Sequence, residues 1–264
     1  MKQPVFEGSI TDVHGIRVGQ AQNAAAKTGV TVILASHDGA VVGADVRGAA
    51  PGTRETDLCA PENTVERANA VVLAGGSAFG LAAATGVMDF LEKHQAGMDM
   101  GVCHVPIVPG AVIFDLTVGD AHVRPDAAMG IEACKAASKA VRQGAFGAGT
   151  GATVGKLVPG ATPMQSGVGT ASLTLPCGVT VGAIAVVATD AVITKAQAKR
   201  LATCAHDGLA RAIRPVHTQM DGDTIFALGT GRVDADVNQI QLCAAAAEVM
   251  ARAVVNAVAM GRDA

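Results

Sequence analysis

Short β-branched runs dominate the first half of the chain. Residues 10–19, 28–35, 40–47, 70–74 and 111–116 are bounded by Gly, Pro, Asp and His, a pattern that predicts strands. Between them, residues 80–94 carry Leu81, Ala84, Val87, Met88 and Leu91 at helical spacing. Residues 125–142 open with Pro-Asp and continue through Ala, Met and Ile, so both segments predict helices. After a Gly-rich stretch at 144–155, strands are expected near 167–175 and 180–188. Thr194 is the expected N-cap of a helix running to 213, with Leu201, Cys204, Ala205, Leu209 and Ala212 on one face. A strand at 224–228 precedes a last helix over 236–260, striped by Val237, Ile240, Ala244, Ala247, Val254 and Val258. Strands in sheet-sized groups and helices in pairs predict an α/β protein of sheets covered by helices. The run 184–188, apolar at every position, is expected to be buried on both faces. No linker, charge block or repeat divides residues 1–264, which read as one domain.

Composition narrows the function classes. Half the residues are hydrophobic and 16% charged, so disorder is excluded as the main state. A formal charge of −3 and only six aromatics, all Phe, leave neither a basic footprint nor stacking platforms for nucleic acid. The longest uncharged apolar stretch, 178–189, is too short to span a bilayer, and 243–260 is interrupted by Glu248, Arg252 and Asn256. No membrane partner is expected. The N-terminus shows no secretory h-region, and the cysteines at 59, 103, 134, 177, 204 and 243 have no CxxC spacing. Free thiols in a reducing, cytoplasmic compartment are the expectation.

Four local features bear on chemistry. Gly75-Gly-Ser77-Ala-Phe-Gly80 joins a strand to a helix, but a nucleophile elbow needs Gly where Phe79 stands, so a tight turn is expected. The glycines of 147–155 lead to Lys156, yet Thr150 and Leu157 occupy the first-Gly and hydroxyl positions of a P-loop; no nucleotide cofactor is expected. Asp221-Gly222-Asp223 places two carboxylates one residue apart, able to share a proton or hold a hydroxyl or ammonium; a plain Asp-Gly turn is the competing reading. The seven histidines show no HxxxH or HxH pairing, so no metal site is indicated. A Ser-His-Asp set assembled from distant positions stays open.

Longer motifs converge on one family. Ile10-Thr-Asp-Val-His-Gly-Ile-Arg-Val-Gly19, the segment from Asp45 to Asp57, Gly75-Gly-Ser-Ala-Phe-Gly80, Val105-Pro-Ile-Val-Pro109 with Ile113-Phe-Asp115, Arg124-Pro-Asp-Ala-Ala-Met-Gly130, Gly149-Thr-Gly-Ala-Thr-Val-Gly-Lys156, Val186-Val-Ala-Thr-Asp-Ala191 and Asp221-Gly-Asp-Thr-Ile-Phe226 occur in order. Together they resemble the DmpA-type aminopeptidases, which include L-aminopeptidase/D-esterases, β-peptidyl aminopeptidases and nylon-oligomer hydrolases. The resemblance implies a four-layer αββα sandwich resembling the N-terminal-nucleophile hydrolases, a homotetramer, and self-cleavage that frees a Ser or Thr whose own α-amine serves as base. It also implies an amide or ester hydrolase acting on a small molecule or short peptide. By position Asp221 and Asp223 resemble the acidic pair that orients the nucleophile, and Lys156 the lysine near the site in the nylon-oligomer branch.

One stretch departs from the family. The nucleophile normally precedes the Val-Val-Ala-Thr-Asp strand within an Asn-Thr-Thr segment, and the corresponding position here is Gly182. Residues 178–183 match an earlier family strand, so an internal connecting segment is expected to be absent near 181–183, and with it the nucleophile and an oxyanion Asn. Thr180 is the nearest hydroxyl, two residues early, hence about 7 Å displaced along a strand. A catalytically inactive homologue, either a scaffold or a small-molecule binder that has lost the nucleophile segment, is the alternative. Without Tyr or Trp, the pocket is expected to be lined by aliphatic residues and Phe, which favours small aliphatic amides.

Overall fold

The computed structural model describes residues 3–157, 160 and 162–262. In chain order the first half contains β1 (Arg17–Asn23), β2 (Thr28–Leu34), β3 (Ala40–Val46), β4 (Thr53–Arg54), β5 (Arg67–Ala68), β6 (Ala70–Ala74), α1 (Ala83–Lys93), β7 (Met98–Asp99), β8 (His104–Val105), β9 (Gly110–Val112) and α2 (Ala127–Lys135). The second half follows with β10 (Thr153–Val154), β11 (Met164–Gln165), β12 (Ala171–Thr174), β13 (Thr180–Ala183), β14 (Val186–Ala191), α3 (Lys195–Ala212), β15 (Thr224–Val233) and α4 (Gln239–Gly261).

Two main sheets form, ordered β1-β2-β6-β9-β4 and β12-β13-β14-β15-β3-β5. Three apolar layers bind them into the expected αββα sandwich. Ile33, Val71, Val42, Val186 and Phe226 fill the space between the sheets. Val30, Val72, Ala84, Val87 and Ala133 join the first sheet to α1 and α2, and Val181, Val187, Leu201, Leu242 and Met250 join the second to α3 and α4. Every residue of β2 and β14 is buried, as strands covered on both faces must be. Small residues let these layers approach closely: a Cβ on Gly208 of α3 would meet the Ala247 carbonyl of α4. α4 is long and apolar enough to cross a membrane, with a mean hydropathy of 1.6, but Leu242, Ala246, Val249 and Met250 are buried in the core.

The strand expected over 111–116 is confined to Gly110–Val112, and three further segments differ from the sequence pattern. Residues 10–19 do not form one strand; Ser9 and Asp12 cap each other's backbone to make a 3-10 turn over Ile10–Asp12, and β1 starts only at Arg17. The helix expected over 125–142 ends at Lys135, because Ser138 exchanges both backbone hydrogen bonds with Val18, each 3.0 Å. The apolar run 180–188 folds back on itself. Ile184 N–H donates to the Val186 carbonyl at 2.8 Å, Ala185 takes φ 58°, and β13 pairs antiparallel with β14 as a hairpin. Thr194 caps α3 with a reciprocal Gln197 contact, as its sequence predicts.

Candidate active site

The acidic pair lies where β15 begins. Parallel pairing sets Val186 of β14 opposite Phe226 of β15, so the start of β14 lies close to Asp221 and Asp223. The exit of β3 clamps the other side of this turn. Arg47 N–H donates to the Asp223 carbonyl at 2.9 Å and Ala50 N–H to that of Asp221 at 2.9 Å. Gly48 is required there, since a Cβ would collide with the Asp221 carbonyl and the Asp223 nitrogen.

Both carboxylates are held by one two-residue segment. His217 reaches Asp223 Oδ2 twice, from its backbone N–H at 2.9 Å and from ring Nδ1 at 2.8 Å. Thr218 N–H donates to Asp221 Oδ2 at 2.7 Å. Neither Oδ1 is hydrogen-bonded to a described residue, and neither is among the buried unpartnered atoms, so both stay open to solvent. A second ring packs edge-on against His217. His206 of α3 is fully buried, its ring centroid 4.8 Å from that of His217, and its Nε2 meets the Asp45 carbonyl at 3.0 Å.

Asp45 links this cluster to a cavity. Its carboxylate pairs with Lys199 Nζ at 2.7 Å and Arg47 Nε at 2.9 Å. Burial alone would raise its pKa, but the bonds from Lys199 and Arg47 outweigh this and hold it below the ordinary 3.8. Burial likewise pushes the His206 pKa below its ordinary 6.5, against the pull of Asp45. A cavity of about 250 Å³ opens beside Asp45 and is lined also by Thr56, Asp57 and Lys199. Among the described residues no group of three metal-ligating side chains converges.

The other sequence-derived candidates fall elsewhere. Thr180 N–H donates to Asp190 Oδ1 at 2.7 Å and its hydroxyl meets Thr174, at the far end of β14 from the pair. By strand register that separation is seven residues, roughly 20 Å. The fold thus does not bring Thr180 to the acidic pair. Lys156 is exposed in the β10–β11 connection, and no hydrogen bond or ion pair joins it to the pair among the described residues. Gly182 lies opposite Ala188, on the side of β14 away from β15, and a Cβ there would sit 2.7 Å from Ile10 Cα. Ser77 does adopt a left-handed φ of 53°, but as the start of a tight turn, its N–H bonded to the Ile113 carbonyl at 3.0 Å. The sequence reading does not join His217 and His206 to this pair, and it meets Asp45 only as the start of a longer motif, because no spacing rule links the three. The one available signal was His217 standing four residues before Asp221.

Comparison with known proteins places the chain. The profile of peptidase family S58 matches residues 8–186 and 182–264. An uncharacterized aminopeptidase of Mycobacterium leprae is 42% identical over 332 residues, covering 95% of this chain and 90% of that protein. A 6-aminohexanoate-oligomer endohydrolase of Paenarthrobacter ureafaciens is 28% identical, covering 93% and 84%. Among solved structures, the L-aminopeptidase D-Ala-esterase/amidase of Ochrobactrum anthropi, described as a variant of the Ntn hydrolase fold, superposes with a TM-score of 0.73. The two are 23% identical, and the superposition covers 97% of this chain and 88% of the other. With residues 8–264 matched in two overlapping spans, the chain belongs to peptidase family S58.

Proposed function

We propose that the protein is an aminopeptidase-type amidohydrolase that takes a small amide or ester bearing a free amine, with Asp221 and Asp223 holding the ammonium. The observation that carries this reading is the three-donor clamp from His217 and Thr218, which leaves one oxygen of each carboxylate facing solvent. Two anionic oxygens so arranged suit a primary ammonium, and one of them can accept the proton of an attacking water.

On this reading the chain works uncut. The eight residues 181–188 contain no hydroxyl or thiol, and Gly182 is packed inside a continuous hairpin. Two facts support the absence of an internal segment here. The two profile matches meet at 182–186, and 95% of a 264-residue chain occupies an alignment of 332 positions, so some eighty positions are filled by the M. leprae relative alone. A hydrolase without its nucleophile retains on the order of 10³–10⁴-fold acceleration over water from binding and electrostatics. Slow turnover is therefore expected. Assembly as a homotetramer is part of the proposal, and exposed Met100 and Val102 between β7 and β8 supply apolar surface for it.

The test is hydrolysis of L-alanine p-nitroanilide by the purified chain. Turnover abolished by Asp223→Asn supports the reading; absence of turnover in the wild type overturns it in favour of a non-catalytic binder, and turnover untouched by Asp221→Asn and Asp223→Asn overturns the role given to the acidic pair.

A further inference from the structure

The acidic pair is oriented by a residue that the sequence pattern did not single out. We infer that His217, with its ring keyed by His206, is the positioning residue that fixes the direction of both carboxylates at the amine site. The inference rests on the proposed amine-binding role of the pair and goes beyond it by naming what sets its geometry.

Backbone conformation comes first. His217 has φ 57°, a left-handed value uncommon for a residue with a Cβ. That conformation lets its own N–H and its ring Nδ1 both reach Asp223 Oδ2. It also brings the next N–H, from Thr218, to Asp221 Oδ2. Three donors on two Oδ2 atoms pin each carboxylate by one oxygen and leave the Oδ1 atoms with no hydrogen-bond partner among the described residues.

Hydrogen-bond chemistry then sets the tautomers. A carboxylate can only accept, so His217 Nδ1 carries the proton; a carbonyl can only accept, so His206 Nε2 carries it. This leaves His217 Nε2 and His206 Nδ1 buried and without a donor. Buried orphan acceptors are costly and uncommon. Two apolar rings would fill the same space without that cost, so what these contacting rings add beyond packing is the two bonds that their other nitrogens make to oxygen.

Two readouts test it. Imidazole ¹⁵N NMR of the wild-type chain above neutral pH must show His217 as the Nδ1–H and His206 as the Nε2–H tautomer; the opposite tautomer at His217 overturns the inference whether or not any amine binds. Calorimetric titration with L-alaninamide then compares the wild type with His217→Gly, which keeps the left-handed backbone and its N–H but deletes the ring. Affinity is expected to fall about tenfold, the loss of one charge-assisted hydrogen bond, and added imidazole is expected to restore part of it. His206→Phe, which keeps a ring but not the bond to Asp45, is expected to weaken binding by less and to show no rescue. Unchanged affinity in His217→Gly, or a loss that imidazole does not touch, overturns the inference. Correct tautomers with no alaninamide binding by the wild type refute the proposed amine site and leave the positioning role standing.

Discussion

Adding a single carbon at Gly182 tests how the β13–β14 hairpin packs against the 3-10 turn at Ile10–Asp12. A Cβ built there lies 2.7 Å from Ile10 Cα, 3.2 Å from the Ser9 carbonyl and 3.4 Å from the Ile10 nitrogen. Carbon atoms in contact prefer about 3.5–4.0 Å, so the shortfall is close to an ångström and every partner is backbone. The 3-10 turn cannot lift freely, because Ile10 N–H is bonded to Thr170 Oγ1 at 2.7 Å and Thr11 Oγ1 to the Lys139 carbonyl at 2.7 Å. Overpacking of this kind costs about 1–3 kcal/mol, and removing a glycine from a strand returns about 0.5–1 kcal/mol. Gly182→Ala is therefore expected to lose about 1–2 kcal/mol. Taking about 2–4 °C per kcal/mol for a chain of this size, Tm should fall by about 2–8 °C. Thermal unfolding followed by circular dichroism, with a urea series to check that m is unchanged, reads the effect. An unchanged or higher Tm would refute the packing of β13 against the 3-10 turn. Gly182→Ser should show the same loss and remain one intact chain, since a hydroxyl at that position faces Ile10 rather than the acidic pair.

Further outcomes follow from other parts of the fold. Burial keeps His206 neutral when folded, so below its unfolded value of 6.5 the unfolded chain gains a proton that the folded chain refuses. Stability must then fall as pH drops through 6.5, and urea midpoints should show a slope there that flattens in His206→Phe; an equal slope in both proteins would contradict it. Asp45 acts in a lower window: its depressed pKa contributes stability above 3.8 that is lost only below that pH, and Asp45→Asn should remove it. Burial pushes the thiols of Cys59 and Cys134 up to about 12, so a maleimide at pH 8 should label exposed Cys103 and Cys177 and spare that pair unless urea is added. Gly48→Ala forces a methyl into the backbone of the acidic turn and should weaken alaninamide binding along with stability, whereas a loss of stability alone would argue against the clamp from β3.

The layered fold was legible because its signals are local and repeated. Apolar runs at β2, β3 and β6, and the Thr194 cap of α3, are decided by neighbours within a few residues. The hairpin of β13 and β14 was not legible, because no Gly, Pro or Asn marks its turn; Ala185 accepts a left-handed φ that only the surrounding sheet imposes. Of the candidate site, the Asp221-Gly-Asp223 pair was visible as a motif. Its supports were not, since His206 and Asp45 come from α3 and β3 and meet His217 and Asp223 only after the sheet has brought β3 beside β15. Thr180 drew attention by nearness in sequence, and the antiparallel return of β13 carries it to the opposite end of β14.

Intact mass spectrometry on protein that is turning over L-alanine p-nitroanilide bears most directly on the claim that this family member acts as an uncut chain through its acidic pair. The account predicts one species at the full 26.3 kDa accompanying the activity. Two fragments produced by a cut between residues 179 and 183, with activity appearing only as they form, would contradict it.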